Sequence, residues 1–112
     1  MMEESILLSV KKNLNIDPED HAFDGDLVLL INSVLAVLHQ LGIGPDEGLW
    51  IEDDEATWGS LFSSAKLNAV KEYVYFSVRL SFDPPTASTL SYFKDRQKEL
   101  EWRVMIAAED LE

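Results

Sequence analysis

Hydrophobic positions recur every three or four residues in four segments of the chain, a spacing that is typical of amphipathic α-helices. The first segment is short, and its apolar residues are Ile6, Leu7, Val10 and Leu14. Pro18 follows closely, and a proline disfavours the helical conformation in the residue before it. The pattern therefore predicts a short first helix that ends within the turn Asn15-Ile16-Asp17-Pro18.

The second segment predicts a helix that begins at Asp24 and is closed by Gly42. Asp24 is a suitable N-cap, and Asp26 suits the positive end of the helix dipole. Gly42 fits the left-handed residue that commonly ends a helix. A helix with little polar surface is expected to be central and packed on several sides. Here the apolar positions are Leu27, Leu29, Leu30, Ile31, Val34, Leu35, Ala36, Val37, Leu38 and Leu41.

Residues 44–59 are the longest stretch without a helical period, and Gly44, Pro45 and Gly48 are turn signals. Two short apolar runs, residues 49–51 and 56–58, flank four consecutive acidic residues and predict a small hairpin. The next residues, 60–64, predict a short helix or a turn. A loop of this length in a compact domain is usually either mobile or functional.

The third segment, residues 66–82, has two adjacent apolar faces and only a narrow polar stripe. The residues of that stripe are Asn68, Glu72, Tyr75 and Arg79. This helix is therefore expected to be buried on two sides. Two such helices are more than one small core readily covers, which suggests burial against neighbouring subunits. A tight bundle within one subunit is the alternative.

Asp83-Pro84-Pro85 ends the third helix, because proline lacks the N–H group that a helix needs. Thr86 or Ser88 can cap a last helix over residues 88–108, which would be roughly 30 Å long. The prolines would thus turn the chain sharply and leave two antiparallel helices. One stripe of the last helix is apolar apart from a glutamine: Leu90, Phe93, Gln97, Leu100, Val104 and Ala107. Trp102, Met105 and Ile106 lie off that stripe, either as ordinary packing or, as we favour, as a contact surface for another chain.

The length of 112 residues corresponds to a single domain, residues 1–112, and the fold class is all-α: a small bundle of about four helices. No cysteine is present, so disulfides and thiolate metal sites are excluded. The N-terminus does not resemble a secretory signal, and no apolar run reaches the roughly 18 residues that span a bilayer. We expect a soluble protein made in the cytosol.

Nine basic and 21 acidic residues give a net charge of -12. Such a surface repels phosphate backbones, so direct binding to a DNA duplex is not expected. The charge could simply confer solubility. It could instead form an acidic face for a basic partner, or hold subunits apart by self-repulsion until they dock.

Catalytic patterns are missing from the sequence. His21 and His39 are far apart and have no metal-ligand spacing, and no nucleophile elbow or phosphate-binding loop is present. The acidic residues 52–55 lack the alternating oxygens and central glycine of a calcium loop, so solvated charge is the better interpretation. We expect neither an enzyme nor a bound metal or cofactor.

Three stretches carry a pattern in their order and spacing: FDGDLVLLINSVLAVLHQLGIGP at residues 23–45, AVKEYVYFSVRLSFDPPTAS at residues 69–88 and KELEWRV at residues 98–104. They resemble the small head–tail connector, or adaptor, proteins of tailed bacteriophages and prophages. The tyrosine-rich helix that ends in Phe82-Asp83-Pro84-Pro85, followed by a long charged helix, is most similar to the family pattern. These are packing and turn motifs, and their order and spacing make them specific together.

The resemblance implies a structural protein that forms a ring beneath the portal. The ring joins the capsid to the next neck or tail component and lets DNA pass without specific binding. Partners would be other copies of the chain, the portal protein and the next completion protein, first in the host cytoplasm and then in the virion neck. Candidate subunit or portal contacts are Trp50, Trp58, Tyr73, Phe76, Leu80, Asp83, Pro84, Pro85, Trp102, Met105 and Ile106.

Two other functions stay open at this point. An acidic phage inhibitor or DNA mimic would be a monomer or dimer and would bind a basic host protein with strong salt dependence. An enzyme that uses the acidic loop with a metal would be stabilised by that metal, since a ligand of the native state raises its melting temperature.

Overall fold

The computed structural model describes residues 4–43, 47–62 and 67–109, and that part of the chain contains five helices and no strand. The helices are α1 (Ile6–Asn13), α2 (Asp24–Gln40), α3 (Trp58–Leu61), α4 (Leu67–Phe82) and α5 (Ala87–Glu109). The all-α prediction is confirmed. The hairpin prediction is wrong, because Thr57 pairs with Ser5 in an isolated antiparallel bridge instead. The predicted start at Lys66 and the residues 63–64 of the predicted short helix lie outside the described residues.

Helix α4 is the centre of the fold, since it packs against α1, α2 and α5. Its inward residues are Val70, Tyr73, Val74, Ser77 and Val78. The polar stripe predicted for this helix faces outward, with Tyr75 partly covered. Helix α2 is less central than its composition predicts: Leu27, Ile31, Leu35 and Leu38 are buried, but Leu29 is 69% exposed.

Helices α1 and α2 end in the same way. After α1 the backbone turns left-handed at Asn15 (φ 61°), and Ile16 N donates to Lys11 O at 2.8 Å. After α2 the left-handed residue is Gly42 (φ 84°), and Ile43 N donates to Leu38 O at 3.1 Å. Both are Schellman motifs, which satisfy carbonyls that a helix end leaves free. The prediction for Gly42 is confirmed, whereas α1 is stopped by Asn15 and not by Pro18.

The prediction that Asp24 is the N-cap of α2 is wrong. Phe23 occupies the N-cap position, and Asp24 is already the first helical residue. Its carboxylate binds Lys11 instead, with 2.8 Å between Nζ and Oδ1. The Lys11 side chain is 1% exposed and also donates to the carbonyls of Asp20 (2.7 Å) and Pro18 (3.2 Å). A buried lysine with three oxygen partners therefore fastens α1, the following turn and the start of α2 together.

The segment between α2 and α3 is anchored at two points. The Asn32 amide donates to Ile51 O at 3.0 Å and accepts from Ile51 N at 2.7 Å, as a neighbouring strand would. Farther on, Ile6 N donates to Ala56 O at 3.0 Å. These bonds hold the described part of the predicted irregular loop against the helices. Residues 44–46 of that loop lie outside the described part.

Trp58 lies in the core with 0% of its surface exposed. Its indole Nε1 donates to Ser9 Oγ at 2.8 Å, which satisfies the polar end of the ring. Tyr75 meets the ring edge-on at 5.8 Å, and the Lys71 ammonium lies 5.7 Å from its centroid. Trp58 thus joins α1, α3 and α4.

Candidate interaction surface

The α4–α5 hairpin is held in one register by polar contacts that cross it. Tyr73 Oη donates to Glu101 Oε2 at 3.4 Å, and Gln97 Nε2 donates to Ser77 Oγ at 3.0 Å. The later residue on α4, Ser77, pairs with the earlier residue on α5, Gln97, so the two helices are antiparallel, as predicted. Burial raises the pKa of the Tyr73 hydroxyl, and the negative charge of Glu101 raises it further. Tyr73 therefore stays a neutral donor at physiological pH.

The Asp83-Pro84-Pro85 corner closes a small cavity between the two helices. After the last turn of α4, Asp83 N donates to Arg79 O at 2.8 Å. The Phe76 and Phe93 rings stack with centroids 5.7 Å apart. The cavity holds about 190 Å³, and its lining residues are Phe76, Arg79, Leu80, Asp83, Pro85 and Phe93. Four of the predicted contact residues thus meet at one place, with exposed Pro84 beside them.

Helix α5 faces α4 with the predicted stripe, from half-buried Leu90 to buried Leu100 and Val104. The side chain of Ala107, the last predicted member, lies outside the described residues. Trp102 is 60% exposed and Met105 is 38% exposed, while Ile106 is half-buried. Trp102 and Met105 follow Lys94 and Lys98 at a spacing of four, four and three residues, which places all four side chains in one line along the helix. We call Lys94, Lys98, Trp102 and Met105 the outer stripe.

The two lysines of the outer stripe have no ion-pair partner among the described residues. Within the described part of the chain, no acceptor lies within hydrogen-bonding or ion-pairing distance of Lys94 or Lys98. The arginines of α5 differ, because Glu99 binds Arg96 at 3.1 Å and Arg103 at 2.8 Å. Those bonds, chiefly the one from Arg96, lower the pKa of the Glu99 carboxyl. The free positive charge of α5 is therefore concentrated on the outer stripe.

The described loop residues 47–55, which we call the acidic loop, form the second exposed surface. All five of its acidic residues, Glu47, Glu52, Asp53, Asp54 and Glu55, are exposed, as expected for solvated charge. Trp50 lies among them and is 53% exposed. Gly48 adopts φ 117°, and a Cβ there would lie 3.4 Å from Trp50 Cζ3, so this turn favours glycine. The acidic loop thus presents an aromatic ring surrounded by carboxylates.

The sequence model for phage connector proteins matches residues 6–110, from the first residue of α1 to just beyond α5. The chain belongs to the phage connector protein family. The resemblance seen in the sequence is confirmed, and membership gives the chain the role of a phage head–tail connector, a structural component that works with other phage structural proteins. No curated protein and no solved structure matches the chain.

Two of the predicted contact residues lie in the core of the connector. Trp58 is fully buried and Tyr73 is 3% exposed, so neither has surface to offer a neighbour in this conformation. The sequence pattern places Trp58 in the irregular loop, and it places Tyr73 on a helix expected to be buried against neighbouring subunits. Both are instead covered within one subunit, since α1 and α5 close over them.

Several exposed residues of the connector were missed by the sequence analysis. Tyr92 on α5 is 69% exposed, and so is Leu29 on α2, which was assigned to a buried circumference. The signal for Leu29 was available: Ser33 and Ala36 share its side of the helix, and a serine there interrupts the apolar surface. Lys94 and Lys98, which have no partner among the described residues, could not be distinguished in the sequence from other charged positions of an amphipathic helix.

The described residues contain no group of three or more potential metal ligands. His21 lies on the surface, with its Nδ1 2.8 Å from Asp24 Oδ2. None of the described helices is both long and apolar enough to cross a membrane.

Proposed function

We propose that this connector assembles into a closed ring beneath the portal, joins the capsid to the next neck or tail component and extends the DNA channel. The observation that carries the proposal is the outer side of α5 in a chain of the connector family. This helix of 23 residues is covered by α4 on one side, yet it leaves Trp102 and Tyr92 mostly exposed. Exposed aromatic residues are typical anchors of protein interfaces.

The charge of -12 suits such a ring in two ways. A negative channel wall disfavours phosphate contacts, so DNA would pass through the ring without being held. Like charges also repel one another between free subunits, which would restrain assembly before the portal presents a template. We propose that the subunits accumulate in the host cytoplasm and become part of the virion neck on docking.

The portal protein and the next neck component are the proposed partners at the two rims of the ring. The Asp83-Pro84-Pro85 corner is a suitable rim element, because it is stiff and closes a partly apolar cavity. The side chains of Phe76 and Leu80 line this cavity and are only half-buried in the free subunit.

Native mass spectrometry over a range of protein and salt concentrations, with and without the phage's own portal protein, tests the proposal. We expect one closed stoichiometry, which negative-stain images show as rings. Added salt should promote this species, because it screens the repulsion between acidic subunits. A chain that stays monomeric under all conditions and does not bind the portal would contradict the proposal. Capture of a basic host protein by that monomer would favour the inhibitor function instead.

A further inference from the structure

The outer stripe and the acidic loop share no residue and belong to different elements. The outer stripe lies on α5, and helix α4 packs against both α5 and α2. Residues 52–54 of the acidic loop line a cleft together with Val28 and Leu29 of α2, whereas Leu27 and Ile31 of the same helix face the core. Asn32 fixes the loop there through Ile51. Two copies can therefore meet stripe to loop without using the same surface twice.

The two surfaces carry opposite charges, and each exposes one tryptophan. The acidic loop carries five carboxylates and no basic residue. The outer stripe carries two ammonium groups without a partner among the described residues, in a chain where acidic residues outnumber basic ones by 21 to nine. Each surface also exposes one tryptophan, Trp102 on the stripe and Trp50 on the loop. Aromatic residues are enriched in protein interfaces, and complementary charges contribute to their specificity.

We propose that the outer stripe of one subunit docks on the acidic loop of the next subunit. The inference rests on the ring proposed above and assigns its subunit contact, with the acidic loop facing a neighbouring copy of the chain. A contact between two different surfaces is heterologous, and repeated heterologous contacts close into a ring when the rotation between subunits allows it. The opposite charges orient the docking subunits, and the two tryptophans contribute the buried area.

Engineered disulfides test the contact directly, because the native chain has no cysteine. In the double variant Asp54→Cys, Lys98→Cys, each subunit carries one thiol on the acidic loop and one on the outer stripe. Oxidation of this variant, alone and with the portal protein, should give a ladder of covalent multimers on a denaturing gel. Each single variant should stop at the dimer. The pair Asp54→Cys, Lys12→Cys is the matched control, since Lys12 is an exposed lysine on α1 and should give no ladder.

The outcomes separate this contact from the ring itself. A ladder with Lys98→Cys and none with Lys12→Cys supports the contact. Rings or portal binding without a ladder in the Lys98→Cys pair would keep the connector function and overturn the contact. If the protein forms no rings, does not bind the portal and gives no ladder, both the ring and the contact are contradicted.

A charge exchange gives an independent measurement in the same assembly assay. Lys98→Glu should weaken assembly about tenfold, because an attractive pair becomes repulsive. Adding Asp54→Lys in the same chain should restore most of that loss. Lys12→Glu changes the net charge by the same amount and should have a much smaller effect. Equal losses for Lys98→Glu and Lys12→Glu would show that net charge alone sets assembly and would overturn the contact.

Discussion

The two ends of the chain are held in the fold in different ways. Around α1 and α2, buried or half-buried polar groups make contacts between elements: Lys11 binds the next turn and Asp24, Trp58 donates to Ser9, and Asn32 bonds to Ile51. Helix α5 is longer, yet among its described residues only Leu100 and Val104 are buried. Its polar contacts with α4 are partly exposed to solvent.

This difference suggests a division of labour within the connector. Buried polar groups specify one internal arrangement, since each would be costly without its partner. The exposed side of α5 is not constrained in that way and can serve docking. Substitutions near α1 and α2 should therefore reduce the stability of the subunit, whereas substitutions on the outer side of α5 should change assembly alone.

Trp58→Ala should have the largest effect on stability. The substitution removes a fully buried ring and leaves a cavity among α1, α3 and α4, so we expect a loss of about 3–5 kcal/mol in the free energy of unfolding. Urea denaturation followed by circular dichroism measures the loss. Trp50→Ala is the matched control: Trp50 is 53% exposed and should cost much less. Similar losses for the two variants would show that the buried ring contributes no more to subunit stability than an exposed one.

Lys11→Met should have the next largest effect. The methionine keeps most of the side chain's volume but leaves the carbonyls of Pro18 and Asp20 without their donor, and it leaves Asp24 without its cation. Unpaired polar groups of this kind cost about 1–3 kcal/mol. The control is Lys12→Met, since Lys12 is the exposed neighbour. If Lys11→Met stabilised the protein, the turn after α1 would not depend on the buried ammonium.

Lys11 also shows where sequence reasoning stops. Periodicity along the chain gave the four longer helices, and α5 begins at Ala87, one residue before the predicted start. The hydrogen bonds from Trp58 to Ser9 and from Asn32 to Ile51 join residues 49 and 19 positions apart. Helical periodicity is a local property and does not reveal such pairs. A lysine at the end of an amphipathic helix therefore reads as surface, although the following turn covers it.

The candidate contact residues also differ in whether their surroundings depend on neighbours in sequence or on distant parts of the chain. Phe76, Leu80, Asp83 and Pro85 could be found together because a sharp corner brings sequence neighbours into one cavity. The exposure of Trp102 followed from its position off the apolar stripe. Trp58 and Tyr73 could not be placed, since their burial depends on which helices close over them.

Asp24→Asn tests the ion pair between Lys11 and Asp24 through the pH dependence of stability. The hydrogen bond from Lys11, and then that from His21, holds the pKa of the Asp24 carboxyl below its ordinary value in the folded protein. Its contribution is therefore fully present above the unfolded pKa of about 3.9 and is lost as pH falls through the folded pKa. We expect the difference in stability between the native chain and Asp24→Asn to be largest near neutral pH and to shrink in acid.

Urea titrations at a series of pH values measure that difference. Asp26→Asn is the control, because Asp26 is exposed in the same helical turn. Comparing two variants with one native chain removes the general effect of protonating the other carboxylates. A difference for Asp24→Asn that does not change with pH would show that the ionised carboxylate contributes nothing through Lys11.

Trp102→Ala should have the smallest effect on the subunit and a clear effect on the assembly. The side chain is 60% exposed, so we expect a change of less than about 0.5 kcal/mol in the free energy of unfolding. As an interface anchor, its truncation should weaken assembly by about 2 kcal/mol, which native mass spectrometry can follow as a shift in the concentration of half-assembly.

Tyr92→Ala is the informative control for Trp102→Ala. Tyr92 is also aromatic and 69% exposed on α5, but it lies outside the outer stripe. A loss of assembly for Trp102→Ala alone would limit the contact to the outer stripe. Equal losses for both variants would extend the contact around α5. A large loss of subunit stability for Trp102→Ala would mean that α5 depends on this ring for folding, and the distinction between the two ends of the chain would not hold.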